Sequence, residues 1–129
     1  MIQPEVYSEF ESWIDYLLET NNMPEDTRAY CFNLYDEGEN IYSLQIVAAN
    51  SYSDTDSDWP CDQVWSSGED IFSIDISDED TKDRQHAYEI FKDIIAEYLL
   101  NGKYRNLLTS YLALAMGYID GELEIIYKA

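Results

Sequence analysis

Hydrophobic residues near the start of the chain recur at helical spacing. Acidic residues occupy the other faces, and the apolar positions i, i+3, i+4, i+7 and i+8 are Phe10, Trp13, Ile14, Leu17 and Leu18. This pattern predicts an amphipathic helix over 6–19 whose apolar stripe packs in the core. Asn21, Asn22 and Pro24 are typical of a helix end.

From Ala29 the hydrophobic period changes to two. Large apolar side chains occupy alternate positions over 29–34 and again over 42–48, on either side of the polar segment 36–40. Two such runs around a short turn that contains glycine predict a β-hairpin. A third strand is expected over 71–76, where Phe72, Ile74 and Ile76 share one face.

The pattern of the second half of the chain predicts two helices and a strand. Residues 77–80, Ser-Asp-Glu-Asp, form a suitable N-terminal cap, and apolar residues then repeat at helical spacing over 87–98. Helical spacing returns over 104–115 and ends at Gly117, and alternation over 123–127 predicts a last strand. The order α-β-β-β-α-α-β indicates one α+β domain over 1–129. We expect a mainly antiparallel sheet of about four strands, packed by about three helices.

The segment 50–70, NSYSDTDSDWPCDQVWSSGED, follows neither period. Long irregular segments in compact domains are often functional, and this one mixes carboxylates with aromatic residues that serve as interface anchors. We therefore predict that a partner binds this loop and the acids at the next helix start. The predicted partner-binding residues are Tyr52, Asp54, Asp56, Asp58, Trp59, Asp62, Trp65, Glu69, Asp70, Asp78, Glu79 and Asp80. The alternative is a plug folded back onto the sheet, which we expect for one of the two tryptophans.

The alternating aspartates at the start of this loop invite a calcium interpretation. In an EF-hand loop that begins at Asp54, the sixth position holds Trp59 in place of glycine and the twelfth holds Trp65 in place of glutamate. The match fails at both diagnostic positions, so we expect no metal and no cofactor. A weak metal site that is not of the EF-hand type remains an alternative.

Net charge narrows the class of partner. The chain of 129 residues has 27 acidic and 7 basic residues, a formal charge of -20. Between Arg28 and Lys82 there are 13 acids and no base. This balance argues against binding to nucleic acid or to an anionic membrane and favours a cationic partner, although a solvated acidic face without a function is the alternative.

The cysteines and the first residues point to a reducing compartment. Cys31 and Cys61 are too few for a disulfide framework; we expect Cys31 to be a small hydrophobe on a strand and Cys61 a partly buried loop thiol. Residues 1–20 lack the basic and apolar regions of a signal peptide, and no apolar run approaches the roughly 20 residues of a membrane span. A cytoplasmic location is expected.

Catalytic motifs are missing from the sequence. His86 is the single histidine and falls inside a predicted helix, and there is no nucleophile elbow, phosphate-binding glycine loop or zinc-ligand spacing. We therefore predict that the chain is not an enzyme. Paired-carboxylate chemistry stays open, because 27 acids offer many pairs and a sequence does not show which of them meet.

The chain as a whole carries a resemblance. A small acidic α+β protein with the stretches Trp-Pro-Cys-Asp-x-Val-Trp-x-x-Gly-Glu-Asp over 59–70 and Gly-Tyr-Ile-Asp-Gly-Glu-Leu-Glu over 117–124 resembles bacterial immunity proteins in size, charge and general pattern. These are the cytoplasmic antidotes of polymorphic-toxin and contact-dependent growth-inhibition systems. The resemblance implies tight binding of one cognate toxin domain, often a basic nuclease, whose active-site cleft is covered. It assigns no role to individual residues.

Two other functions remain alternatives. One is a nucleic-acid mimic that inhibits DNA-binding enzymes, and the other is a hydrolase or metal-dependent enzyme with an acidic site. A mimic is expected to spread its charge over the whole molecule at phosphate-like spacing. Here the charge is concentrated in the middle of the chain beside tryptophans, which favours a single specific partner.

Overall fold

A mixed sheet with three helices forms the architecture of the computed structural model, which describes residues 4–129. In chain order the elements are α1 (Pro4–Thr20), β1 (Ala29–Gly38), β2 (Ile41–Ala49), a 3-10 turn (Trp59–Cys61), β3 (Gln63–Ser66), β4 (Phe72–Asp75), α2 (Arg84–Asn101), α3 (Arg105–Leu108), β5 (Ala113–Tyr118) and β6 (Glu124–Lys128). The predicted α+β class is confirmed.

The sheet has six strands rather than about four. Its order is β3-β2-β1-β5-β6, and β4 pairs with the half of β2 that β3 leaves free. The predicted hairpin is β1–β2, whose turn places Gly38, Glu39 and Asn40 at positive φ. Of the five pairings among the described strands, four are antiparallel, as expected, and that of β1 with β5 is parallel, so the sheet is mixed. The expected number of about four strands is corrected to six.

The predicted helix over 104–115 is wrong for most of its length. Only Arg105–Leu108 is helical, and Ala113–Tyr118 is instead a strand beside β1. Five of the six residues of this strand are buried, because neighbouring strands and layers cover it on both sides. A strand buried on both faces is a continuous apolar run, and such a run has no period that distinguishes it from a buried helix.

The N-terminal cap of α2 also differs from the prediction. Asp83, in an extended conformation, accepts the backbone N–H of His86 at 2.8 Å, and the helix begins at Arg84. The acids at 77–80 belong to turns that follow β4, where the Asp75 carboxylate accepts the N–H of Ser77 at 2.9 Å. Several candidate caps follow one another along the chain here, and the path of the backbone selects the last one.

The two faces of the sheet are covered by different structures. The three helices pack on one face, in a large core with aromatic contacts such as Phe10 with Phe72 and with Tyr98. On the other face a smaller cluster consists of Ala29, Cys31, Val47, Ala49, Trp59, Ala113 and Ala115. The loop between β2 and β3 therefore covers the face that lies away from the helices.

Candidate functional site

Trp59 anchors the predicted loop on the sheet. Its side chain is 3% exposed and packs against small residues on three neighbouring strands, among them Ala29, Ala49 and Ala113. The alanines leave room for the indole ring, and Pro60 lies in the first turn of the 3-10 segment, which it favours through its fixed φ. The expectation that one tryptophan plugs the sheet is confirmed, and that tryptophan is Trp59.

The two cysteines differ in burial. Cys31 lies on β1 in the cluster beneath Trp59, and burial raises the pKa of its thiol to about 12. This confirms the prediction of a small hydrophobe on a strand. Cys61 is exposed at the end of the 3-10 turn, so the expectation of a partly buried thiol is corrected.

An ion pair ties the loop to the last strand. The Lys128 Nζ lies 2.5 Å from Asp54 Oδ1, and the Tyr52 hydroxyl donates to the same oxygen at 2.6 Å. The Tyr52 ring also meets the Trp59 ring edge-on at 5.5 Å. The hydrogen bonds from Lys128 and then from Tyr52 hold the pKa of Asp54 below its usual value. These contacts fix the loop at a second point.

Three further aspartates of the loop have no basic partner among the described residues. Asp56, Asp58 and Asp62 line a cleft of about 390 Å³ together with Tyr52 and neighbouring loop residues. Asp62 accepts the Ser51 hydroxyl at 2.7 Å, and Asp56 accepts the N–H of Asp58 at 3.0 Å. Within residues 4–129 none of the three forms an ion pair. Their charges are thus presented at the surface, and no side chain of residues 4–129 neutralises them in an ion pair.

Trp65 and Asp70 lie toward the other side of the sheet. Trp65 is on β3, half-buried against the helix-side core. The Asp70 carboxylate accepts the indole N–H of Trp13, on α1, at 3.1 Å. Glu69 is exposed beside Asp70. The sheet therefore divides the predicted segment into a part near Trp59 and a part near α1.

The acids at 78–80 are remote from the loop. They follow β4, and Ile76 donates its N–H to Asn40 at the hairpin end of β2, whereas Asn50 at the other end of β2 donates to Asp62. Those ends are about 26 Å apart at roughly 3.3 Å per residue. Asp78 and Asp80 are exposed, and the Glu79 carboxylate pairs with His86 at 3.0 Å. The predicted partner-binding residues thus do not form one patch; whether any of them binds a partner stays a prediction.

A larger cleft, of about 630 Å³, lies between α2 and the β5–β6 turn and was not predicted. The Arg84 guanidinium lies 4.2 Å from the centre of the Tyr118 ring and 2.6 Å from Asp120. Tyr118 in turn donates its hydroxyl to the carbonyl of Arg84 at 2.7 Å. The cation is thus already paired inside the molecule. No spacing in the sequence signals this cleft, because α2 and the turn are joined only by tertiary packing.

In the part of the chain that the structure describes, no three His, Cys, Asp or Glu side chains come together in a group able to hold a metal ion. Over the same residues, the helices lack the combination of length and apolar character that crossing a membrane requires.

Comparison of the chain with protein-family models, with curated proteins and with solved structures finds no match.

Proposed function

We propose that this chain is an immunity-type protein, which binds a cationic toxin domain and neutralises it. The observation that carries the proposal is the loop between β2 and β3. Asp56, Asp58 and Asp62 line a cleft there without an ion pair among the described residues, while Trp59 is buried beneath them. A cytoplasmic location and the absence of catalysis are part of the same proposal.

The loop is suited to binding because it is fixed before a partner arrives. Trp59 packs on the sheet and Asp54 pairs with Lys128, so two points restrain the loop in the free protein. Restraint of this kind lowers the entropy lost on binding. Neutral donors such as the Ser51 hydroxyl orient the carboxylates and leave their charge available to a lysine or arginine of the partner.

The total charge of the chain supports a cationic partner. A formal charge of -20 creates a field that attracts a basic domain and speeds its encounter with the chain. A nuclease presents such a basic surface, because its cleft must neutralise the phosphates of its substrate. Covering that cleft with the acidic loop would block the nuclease.

Growth protection tests the proposal. The protein encoded directly upstream, which we expect to contain the toxin domain, is expressed in bacteria with and without this chain. We expect it to arrest growth and the chain to restore growth. The variant D56N/D58N/D62N is expected to protect poorly, while the matched control E5Q/E9Q/E11Q, on α1, protects like the wild type. Failure of the wild-type chain to protect would overturn the proposal.

The same material tests the nucleic-acid mimic. If the chain also inhibits an unrelated restriction endonuclease at comparable concentration, the broad mimic replaces the specific immunity function. We expect no such inhibition, because the loop cleft combines carboxylates with the aromatic residues Tyr52 and Trp59, which suits one specific protein partner.

A further inference from the structure

The sheet face that lies away from the helices is only half covered by the loop. Beneath Trp59 and Tyr52 the strands present alanines and Cys31, all fully buried. Farther along the same strands most side chains are polar. The open sheet face, as we name it, consists of Asn33, Tyr35, Gln45, Ser73 and Ile119, and Ser43, which lies between Tyr35 and Ser73, is 1% exposed. The pairs Asn33–Gln45, Tyr35–Ser43 and Ser43–Ser73 are direct cross-strand neighbours, which places these side chains on one face.

Hydrogen bonds hold the open sheet face in one arrangement. Gln45 Oε1 accepts from Asn33 Nδ2 at 3.3 Å and from the Tyr35 hydroxyl at 3.2 Å, and Gln45 Nε2 donates to the carbonyl of Gly68 at 3.0 Å. The Ser43 and Ser73 hydroxyls lie 2.9 Å apart. The side chains are thus oriented without a ligand, although Asn33, Tyr35 and Gln45 remain partly accessible.

An exposed isoleucine borders this network. The side chain of Ile119 is 61% exposed, and its N–H continues the β5–β1 pairing by donating to the carbonyl of Leu34 at 3.0 Å. Ile119 and Tyr35 line a cleft of about 270 Å³ together with Asp36, Glu37 and Asp120. An apolar side chain, an aromatic ring and carboxylates therefore meet at one small depression.

The open sheet face has the residue types of antibody-type binding surfaces, which are rich in tyrosine, serine and asparagine. Its members are uncharged and charged residues lie at its edge, and interfaces in general are depleted of charge at their centre. The rim contains Asp36, Glu37, Asp75 and Asp120, with Arg84 as the base paired to Asp120. The rim is therefore net acidic and complementary to a cationic surface.

Charge also argues against other occupants. A second copy of the chain brings a further formal charge of -20 to the same rim, and nucleic acid brings phosphates. We propose that the open sheet face is the surface on which a cationic protein domain docks, with the carboxylates of Asp56, Asp58 and Asp62 contacting it on one side. This inference rests on the proposed function and names the surface that carries it.

The docking surface has a consequence for the residues on the helix side. Trp65 and Asp70 pack against the helix-side core and α1, so they fall outside the docked area. The exposed hydrophobic residue Leu100 near the end of α2, 74% exposed, also lies outside it. Leu100 supplies a matched control for Ile119, because both side chains are aliphatic and solvent-exposed.

The test compares I119R with L100R, using the purified toxin domain encoded by the upstream gene and calorimetric titration. We expect I119R to raise the dissociation constant by tenfold or more, because an arginine then faces a cationic partner. The dissociation constant of L100R should stay within twofold of the wild-type value. The variants Y35A and I119S, which add no charge, are expected to weaken binding as well. Y35F keeps the aromatic ring and is the control for Y35A. Thermal melts establish that each variant is folded.

The outcomes separate the two proposals. If the wild type binds and I119R, I119S and Y35A all bind as tightly as L100R, the docking surface is wrong and the proposed function stands. If the wild-type chain does not bind the toxin domain, the proposed function is overturned and the docking surface with it. If sedimentation shows a dimer that I119R abolishes, the occupant is a second copy and the inference is overturned.

Discussion

The indole N–H of Trp13 donates to the carboxylate of Asp70 at 3.1 Å, although 57 residues separate them in the chain. Trp13 also packs against Phe10 and Phe72 in the helix-side core. The hydrogen bond therefore joins the first helix to the segment between β3 and β4. Asp70 has an intramolecular role in addition to any role in partner binding.

Replacement of Asp70 is expected to lower the free energy of unfolding. D70A leaves the indole N–H without its protein acceptor, which costs about 1 kcal/mol for a hydrogen bond of this kind. Urea denaturation measures the change. The neighbouring variant E69A is the control, since Glu69 is exposed, and its effect should be within about 0.5 kcal/mol. Equal stability of D70A and E69A would contradict the structural role.

Truncation of Trp59 is expected to destabilise the fold far more than truncation of Trp65. Removal of a buried tryptophan costs about 3–5 kcal/mol, because a cavity remains over the sheet. W59A should therefore show a lower urea midpoint than W65A, whose ring is half-buried, and W59F should lie between W59A and wild type. If W65A were less stable than W59A, Trp65 and not Trp59 would be the main anchor of the core.

The Lys128–Asp54 ion pair predicts a dependence on pH. Its hydrogen bonds lower the pKa of Asp54 in the folded state, so the contribution to stability is present above the ordinary pKa of about 3.9 and is lost as the pH falls through the folded-state value. K128M should be less stable than wild type at neutral pH, and the difference should shrink as the pH falls toward the folded-state value.

The control for this pH series is K82M, which removes the same charge from a lysine without an ion pair among residues 4–129. Melting temperatures of K128M and K82M, measured across the acid range, test whether the ion pair contributes to stability. Parallel curves for the two variants would show that only net charge matters and that the ion pair adds nothing.

Association with a cationic toxin domain should slow as salt increases. Between about 0.1 M and about 1 M salt the Debye length falls from about 10 Å to about 3 Å, so the on-rate should drop by about tenfold or more. Stopped-flow kinetics measure it. D56N/D58N/D62N should reduce the salt dependence more than the control E5Q/E9Q/E11Q. An on-rate indifferent to salt would remove the electrostatic part of the proposal.

Calcium is expected to leave the melting temperature unchanged. The loop from Asp54 to Trp65 lacks the glycine and the bidentate glutamate of an EF-hand, and Asp54 is already paired with Lys128. A ligand at a hundred times its dissociation constant stabilises a protein by roughly 2.7 kcal/mol. A rise in melting temperature at millimolar calcium that EDTA reverses would establish a metal site instead.

The sequence by itself determined those elements whose pattern is local. The amphipathic stripe from Phe10 to Leu18 predicted α1, and two alternating runs around the turn at Gly38 predicted the β1–β2 hairpin. The missing period over 50–70 predicted one long loop, which is corrected, because Gln63–Ser66 within it is strand β3. The prediction that one tryptophan of this segment packs on the sheet is confirmed by Trp59. The helix and the hairpin are each encoded within a few residues, so a period or a turn suffices to predict them.

Only the tertiary structure decided the features that depend on distant neighbours. Ala113–Tyr118 became a strand because it pairs with β1 between two covered faces, although its residues also fit a helix. The sheet separated Trp59 from Trp65, and the length of β2 separated the loop from Asp78 and Asp80. A strand that is buried on both faces has no alternation of polar and apolar residues by which a sequence could reveal it. Which side of the sheet a loop covers depends on packing across the whole molecule.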